Sequence, residues 1–278
     1  MNEVESLHTA IRRYCMDRYS YWTEKYGEIA SKRKDSAGHG YTQEALCTFP
    51  RYNVLNAILV EIERHRPEDF TILNEAKDTF SAAARNAQTI FTQPPNGDLE
   101  QKVMHEEREA LCEFISRLSE RDLTRIEPLF YRRVLSAAES NIIWGRLKTI
   151  WRITEGYWYP LAERERDDIE AFQDAYLAKE VGVEKLHSIF RERGVERVWE
   201  MREDGINYEL ELAAFEPIYN GNEGYWCDET FDWIIYASHE SSITIGGWLL
   251  PETKNVWLNW KERVWTTPFF DQPLEESQ

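Results

Sequence analysis

The stretch FDWIIYASHESSITIGGWLL (residues 231–250) sets His239 and Glu240 among Ser238, Ser241 and Ser242, between two apolar runs. A histidine can act as a base, a neighbouring carboxylate can orient it, and a serine hydroxyl can serve as a nucleophile. The same residue types suit a binding loop, and they equally suit a hairpin tip whose polar side chains cap the turn. The chain has no G-x-S-x-G elbow and no second motif that would supply an oxyanion site. Adjacent residues at a strand end also point apart. The stretch therefore marks a binding loop before it marks a catalytic one, and no residue is assigned a catalytic role.

Other combinations resemble chemistry only superficially. HEERE at residues 105–109 lacks the second histidine of H-E-x-x-H, and the six histidines show no ligand spacing. Gly246-Gly247 precedes no helix and has no G-x-G-x-x-G context, which leaves a bulge or a close backbone approach as its reason. Cys15, Cys47, Cys112 and Cys227 are far apart with no C-x-x-C pair, the usage of a reducing cytoplasm. No metal or other cofactor is expected.

The elements that must position the 231–250 stretch fall into two patterns. Residues 3–32, 50–66, 68–91, 99–118 and 128–151 carry apolar residues at helical spacing, so the first half reads as a five-helix bundle or array, with Pro50 in the first turn of its helix. KDSAGHGYT and TQPPNGD break that series. EGYWYPL reads as an aromatic hinge, followed by helices over 163–179 and 183–193. The period then shortens: VERVWEM and INYELELAAF alternate on either side of REDG, a hairpin signal. PIYNGNEGYW reads as a loop. The 231–250 stretch forms a second hairpin with a five-residue connection, Ser238 to Ser242. ETKNVWLNWKERVW reads as a closing helix with Val256, Trp257, Trp260 and Val264 on one face, and the tail DQPLEESQ as frayed. The predicted fold class is α+β: an N-terminal helical region (1–153), then an acidic region (154–278) in which helices cover a small antiparallel sheet of two hairpins.

Charge divides the chain in the same place. The net charge is −17, of which residues 1–153 carry −1 and residues 154–278 carry −16. Such a balance argues against direct grip on a nucleic-acid backbone and favours a basic protein partner. The basic runs YRRVLSAAES and SKRKD read as salt-bridging helix faces. No apolar run reaches the ~20 residues of a membrane span, and the N-terminus has no apolar signal core, so a cytoplasmic location is expected. Six of the 11 tryptophans lie between residues 226 and 265 of the acidic region. An aromatic ring ringed by carboxylates is the composition of a contact surface for a basic partner. Trp226, Asp228, Glu229 and Trp248 join His239, Glu240, Ser241 and Ser242 as candidate binding residues.

YRRVLS and GYWYPL, then FDWIIYASHESSITIGGWLL with WLNW after it, resemble uncharacterised bacterial proteins of toxin-immunity and defence-locus type. The resemblance covers about the last 150 residues. It implies a cytoplasmic protein that binds and neutralises another protein, and it carries no catalytic residue. Two alternatives stand beside that expectation. One is a hydrolase-like enzyme using the His239/Glu240 loop; the other is a subunit of a defence complex that makes contact through its helical half.

Overall fold

The computed structural model describes residues 2–32, 41–153, 158 and 166–265. The chain forms two compact units, Met1–Leu129 and Phe130–Gln278. EGYWYPL, apart from Trp158, and the tail DQPLEESQ lie outside the described residues, as does most of KDSAGHGYT.

In the first unit, α1 (Glu3–Ser31) packs with α2 (Gln43–Ile62), α3 (Leu73–Asn86), α4 (Asp98–Arg117) and the single turn α5 (Glu120–Leu123). Asn2 and Glu5 form a capping box at the start of α1. Leu7, Ile11, Val54, Ile58, Phe80, Leu111 and Ile115 make the core, the stripes expected from the 3.6-residue period. Two boundaries differ from the sequence reading. The helix of 50–66 begins at Gln43, because Thr42 caps it through the Ala45 amide, so Pro50 lies inside the helix. The helix of 68–91 is shorter, with a 3₁₀ turn at Pro67–Asp69 before it.

One buried carboxylate ties three of these helices together. Glu107 of α4 is 1 % exposed, and its oxygens accept from Arg18 of α1 at 2.7 and 2.8 Å. It also accepts from Arg51 of α2 at 2.7 Å and from Trp22 Nε1 at 3.1 Å. Four donors compensate the desolvation that an isolated buried charge would suffer.

The second unit is a seven-stranded antiparallel sheet with helices against both faces. Its strands are β1 (Arg132–Val134), β2 (Ile169–Gln173), β3 (Arg197–Arg202), β4 (Tyr208–Glu211), β5 (Gly224–Cys227), β6 (Trp233–Ser238) and β7 (Ser242–Gly247). Their order is β1-β4-β3-β5-β6-β7-β2. The unit's helices are α6 (Ala137–Trp151), the short α7 (Asp174–Tyr176) leading into a π-turn (Leu177–Val181), α8 (Val183–Glu192) and α9 (Leu249–Val256). The class is α+β with an N-terminal helical part.

The sheet is larger than two hairpins for identifiable reasons. β1 occupies the start of the segment read as a 128–151 helix; Ser136 caps α6 with Glu139 in a capping box, so the helix cannot begin earlier. β2 replaces the middle of the 163–179 helix by pairing with β7, Ile169 opposite Gly246 and Gln173 opposite Ser242. β5 takes the end of the segment read as a loop. The closing helix ends at Val256; a 3₁₀ turn follows at Trp260–Arg263, and Val264 bridges to Phe172.

β6 and β7 are buried on both faces. Trp233, Ile235, Ala237, Ile243 and Ile245 face a core shared with Leu186 and Phe190 of α8 and with Leu249 and Leu250. Ile234, Tyr236 and Tyr225 face Ile143, Leu147 and Trp151 of α6. Phe231 joins this second face although it is two residues before Trp233, because its φ of 57° turns the chain over. The two glycines answer to packing. A Cβ on Gly246 would lie 2.8 Å from the Trp151 ring, and one on Gly247, at φ +70°, would lie 1.9 Å from the carbonyl oxygen of Asp232. Among the described residues, no helix is long and apolar enough to cross a membrane.

Two outcomes in urea denaturation are expected from this packing. Gly246→Ala presses on a side chain and should cost about 1–3 kcal/mol, whereas Gly247→Ala presses on backbone and should cost more. Glu107→Gln leaves Arg51 with Glu106 alone and removes the carboxylate that Arg18 pairs with, and it should lower the stability of the first unit by about 3 kcal/mol.

Candidate functional site

The register of the sheet determines where the candidate residues lie. β5 and β6 pair with Gly224 opposite Ala237, and β6 and β7 with Ser238 opposite Ser242. The β6–β7 connection is therefore three residues, His239 to Ser241, rather than five. Ser241 adopts φ 55°, the left-handed residue that a three-residue hairpin loop requires.

The same register carries Glu223, just before β5, alongside His239. His239 Nδ1–H donates to Glu223 Oε1, and the His239 backbone N–H approaches that oxygen at 3.3 Å. Glu240 Oε1 stands 3.7 Å from Nε2 on the other side of the ring. The hydrogen bond from His239 to Glu223 raises the histidine's pKa above its ordinary 6.5. The second Glu223 oxygen is buried and has no hydrogen-bond partner among the described residues.

Glu223 borders a polar network on one face of the sheet. Tyr225 donates to Glu203 Oε1 at 2.5 Å, and the Tyr225 and Tyr236 rings lie 4.5 Å apart. The Glu203 amide donates to the Glu223 carbonyl at 3.3 Å, which holds the β3–β4 turn against this edge. Burial pushes the Glu203 carboxyl upward and the nearby Glu223 and Asp204 add to the shift, opposed by the Tyr225 hydroxyl. Burial raises both phenols as well.

Around His239 the described residues supply an orienting acid and no bonded nucleophile. Its orienting acid is Glu223, not the adjacent Glu240. Among the described residues no serine hydroxyl bonds to the imidazole: Ser238 Oγ accepts from the Glu240 amide, and Ser242 is buried in β7. No group of three or more His, Cys, Asp or Glu side chains among the described residues is arranged to hold a metal ion.

A cleft of about 300 Å³ opens beside the hairpin tip. Leu177, Ala178, Val183, Leu186, Pro217 and Ile243 form apolar walls, and Asp174, Glu216, Ile218 and Tyr219 also line it. It adjoins the tip directly. The Asp174 amide donates to the Ser241 carbonyl at 3.2 Å, and the Tyr219 ring lies 6.5 Å from that of His239. Glu216, Ile218 and Tyr219 are exposed.

Seven of the eight candidate residues separate into two groups. His239, Glu240, Ser241 and Ser242 lie at one end of β6; Asp228, Glu229 and Trp248 lie at the other, roughly 17 Å away along the strand. Trp226 is not a contact residue: it is 0 % exposed in the core facing α8, beneath the Arg202 guanidinium. Its strand is covered on both faces, so either alternation class ends up inside. At the far end Asp228 Oδ1 accepts from the amide and hydroxyl of Thr230 and shapes the loop, while Glu229 is exposed. Trp248 is half-buried, donates to Asp232 at 2.9 Å and lies under Arg193. Its ring is committed within the unit.

Sequence reading missed Glu223, Glu203, Tyr225, Asp174, Glu216 and Tyr219. Recognition of β5, whose pairing brings GNEGYW to the hairpin and to β3, would have signalled Glu223, Tyr225 and Glu203, and recognition of β2 would have signalled Asp174. Comparison with family models, curated proteins and solved structures finds no match.

The Glu223–His239 pair has a measurable signature. His239 should titrate above 6.5 by NMR and return toward 6.5 in Glu223→Gln. Because the folded pKa is raised, the pair's contribution to stability is present below pH 6.5 and is lost as pH rises through the folded value. A wild-type pKa at or below 6.5 would remove the pair from solution.

Proposed function

We propose that the second unit is a non-catalytic protein-binding module that engages a basic partner through one acidic end of its sheet. The observation that carries this reading is a convergence of loops. Asp174 and Glu216 line one apolar cleft, and Glu223, Glu240 and the β3–β4 turn with Glu203 and Asp204 gather at the hairpin tip that adjoins it. Arg202, the base beside them, is buried and already committed to Glu200 and to the Asn222 carbonyl. A concentration of one sign of charge speeds encounter with the opposite sign and rejects acidic partners. An apolar recess beside it supplies the dehydrated contact that charge alone lacks.

In this reading the protein is a cytoplasmic immunity- or defence-type factor, and its partner is a basic protein such as a nuclease toxin, whose own substrate demands positive charge. A different surface supports a second reading, contact through the helical unit. Met16, Tyr19, Tyr21 and Tyr41 are exposed there, beside half-buried Trp22, Tyr26, Phe49 and Tyr52.

Affinity capture from the native host across a salt series tests the first reading. A basic protein that elutes as salt rises is expected, with at least tenfold weaker capture by the Asp204→Asn/Glu216→Gln/Glu240→Gln variant. An acidic partner, salt-independent capture or an unaffected variant would contradict it.

A further inference from the structure

We propose that the cleft beside the hairpin tip is a socket for one long cationic side chain, lysine or arginine, of the basic partner. The inference rests on the acidic end being the binding surface and assigns the specificity of that surface to a stem-and-head recess rather than to charge alone.

Three features point to this occupant. The deeper walls are aliphatic: Leu177 and Leu186 are buried, and Ile243 projects from β7 on the same core face as Ile245. Carboxylates appear only at Asp174 and Glu216, and no basic side chain is among the lining residues. Lys179 and Lys185, the nearest lysines in sequence, do not line it. Both carboxylates have capacity to spare. Asp174 Oδ1 accepts the neighbouring Ala175 amide, and Glu216 has neither a hydrogen-bonded nor an ion-paired side chain opposite it among the described residues. The partial positive charge at the start of α8, which adjoins the cleft through Gly182 and Val183, is met by Glu184 in its own first turn.

A lysine or arginine side chain matches this layout because its methylene stem can be buried while its charged head stays at the rim. A small anion finds carboxylates at the mouth. A purely apolar side chain leaves those carboxylates partly dehydrated and unpaired, which is unfavourable. Tyr219, exposed and lining the cleft, is an aromatic ring of the kind that attracts a cation. The volume, about 300 Å³, suits one side chain rather than a folded element.

The test uses the full chain with methyl-labelled isoleucine and leucine and two peptides of equal charge at low salt. One is hexalysine; the other is a hexamer of 2,4-diaminobutyrate, whose side chain is two methylenes shorter, titrated at a pH where both are protonated. Burial of a methylene is worth roughly fourfold in affinity. Hexalysine should therefore bind at least fivefold more tightly and shift the methyls of Ile243, Leu177 and Leu186. Ala178→Phe, which fills the cleft without changing charge, should abolish the difference between the peptides while leaving the methyl signal of Ile234 in place. Equal affinities, with shifts confined to residues near Glu203, Asp204 and Glu240, would overturn the socket and leave the acidic binding surface standing. Absence of binding by either peptide at low salt would overturn both. The wild-type comparison decides the matter even if the Ala178→Phe variant fails to fold.

Discussion

The structure of the second unit depends on burying both faces of β5, β6 and β7. Alternate residues of these strands enter two separate cores, Trp226, Trp233 and Ile235 on one side and Tyr225, Ile234 and Tyr236 on the other. Helices must then cover each face, which α8 and α9 do on the first and α6 on the second. Once the strand bodies are enclosed, polar groups can reach solvent only at the strand ends. Function is pushed into the connections by the same packing that makes the sheet stable.

That constraint redistributes the chemistry of the chain. Tryptophan and carboxylate are both abundant after residue 153, and in one dimension they look like a single surface. In three dimensions Trp226, Trp233 and Trp257 are interior, whereas Glu203, Asp204, Glu216, Glu223 and Glu240 lie in loops. At the acidic end Tyr219 stands beside an aliphatic recess, and Trp265 Nε1 donates to the Glu240 carbonyl at 3.2 Å. His239, the residue that first suggests catalysis, becomes a titratable group among these carboxylates, held by Glu223. As it deprotonates, the acidic end becomes more negative.

Much of the architecture was legible from periodicity. The helical stripes of Leu7, Ile11, Val54, Ile58, Leu111 and Ile115 are local patterns, and so are the hairpins at Asp204-Gly205 and at His239. What could not be read depends on pairing over distance. β2 carries the short apolar sequence of a buried helix segment and becomes a strand only because β7 needs an outer neighbour. β5 hides within a glycine- and asparagine-rich stretch that reads as loop. Missing β5 also hid the site, since Glu223 is placed against His239 solely by the β5–β6 register. The candidate list was correspondingly partial: it contained the hairpin tip but neither the partner of its histidine nor the cleft beside it.

On the proposed reading the protein meets its partner at the acidic end of the sheet, and not at the helical unit or the opposite end. Hydrogen–deuterium exchange on the full chain, with and without the partner captured from its host, distinguishes these three surfaces. Slower exchange is expected in residues 203–207, 216–223 and 239–241 together with the π-turn at Leu177–Val181. Protection confined to α1 and α2, or to residues 228–232, would contradict it.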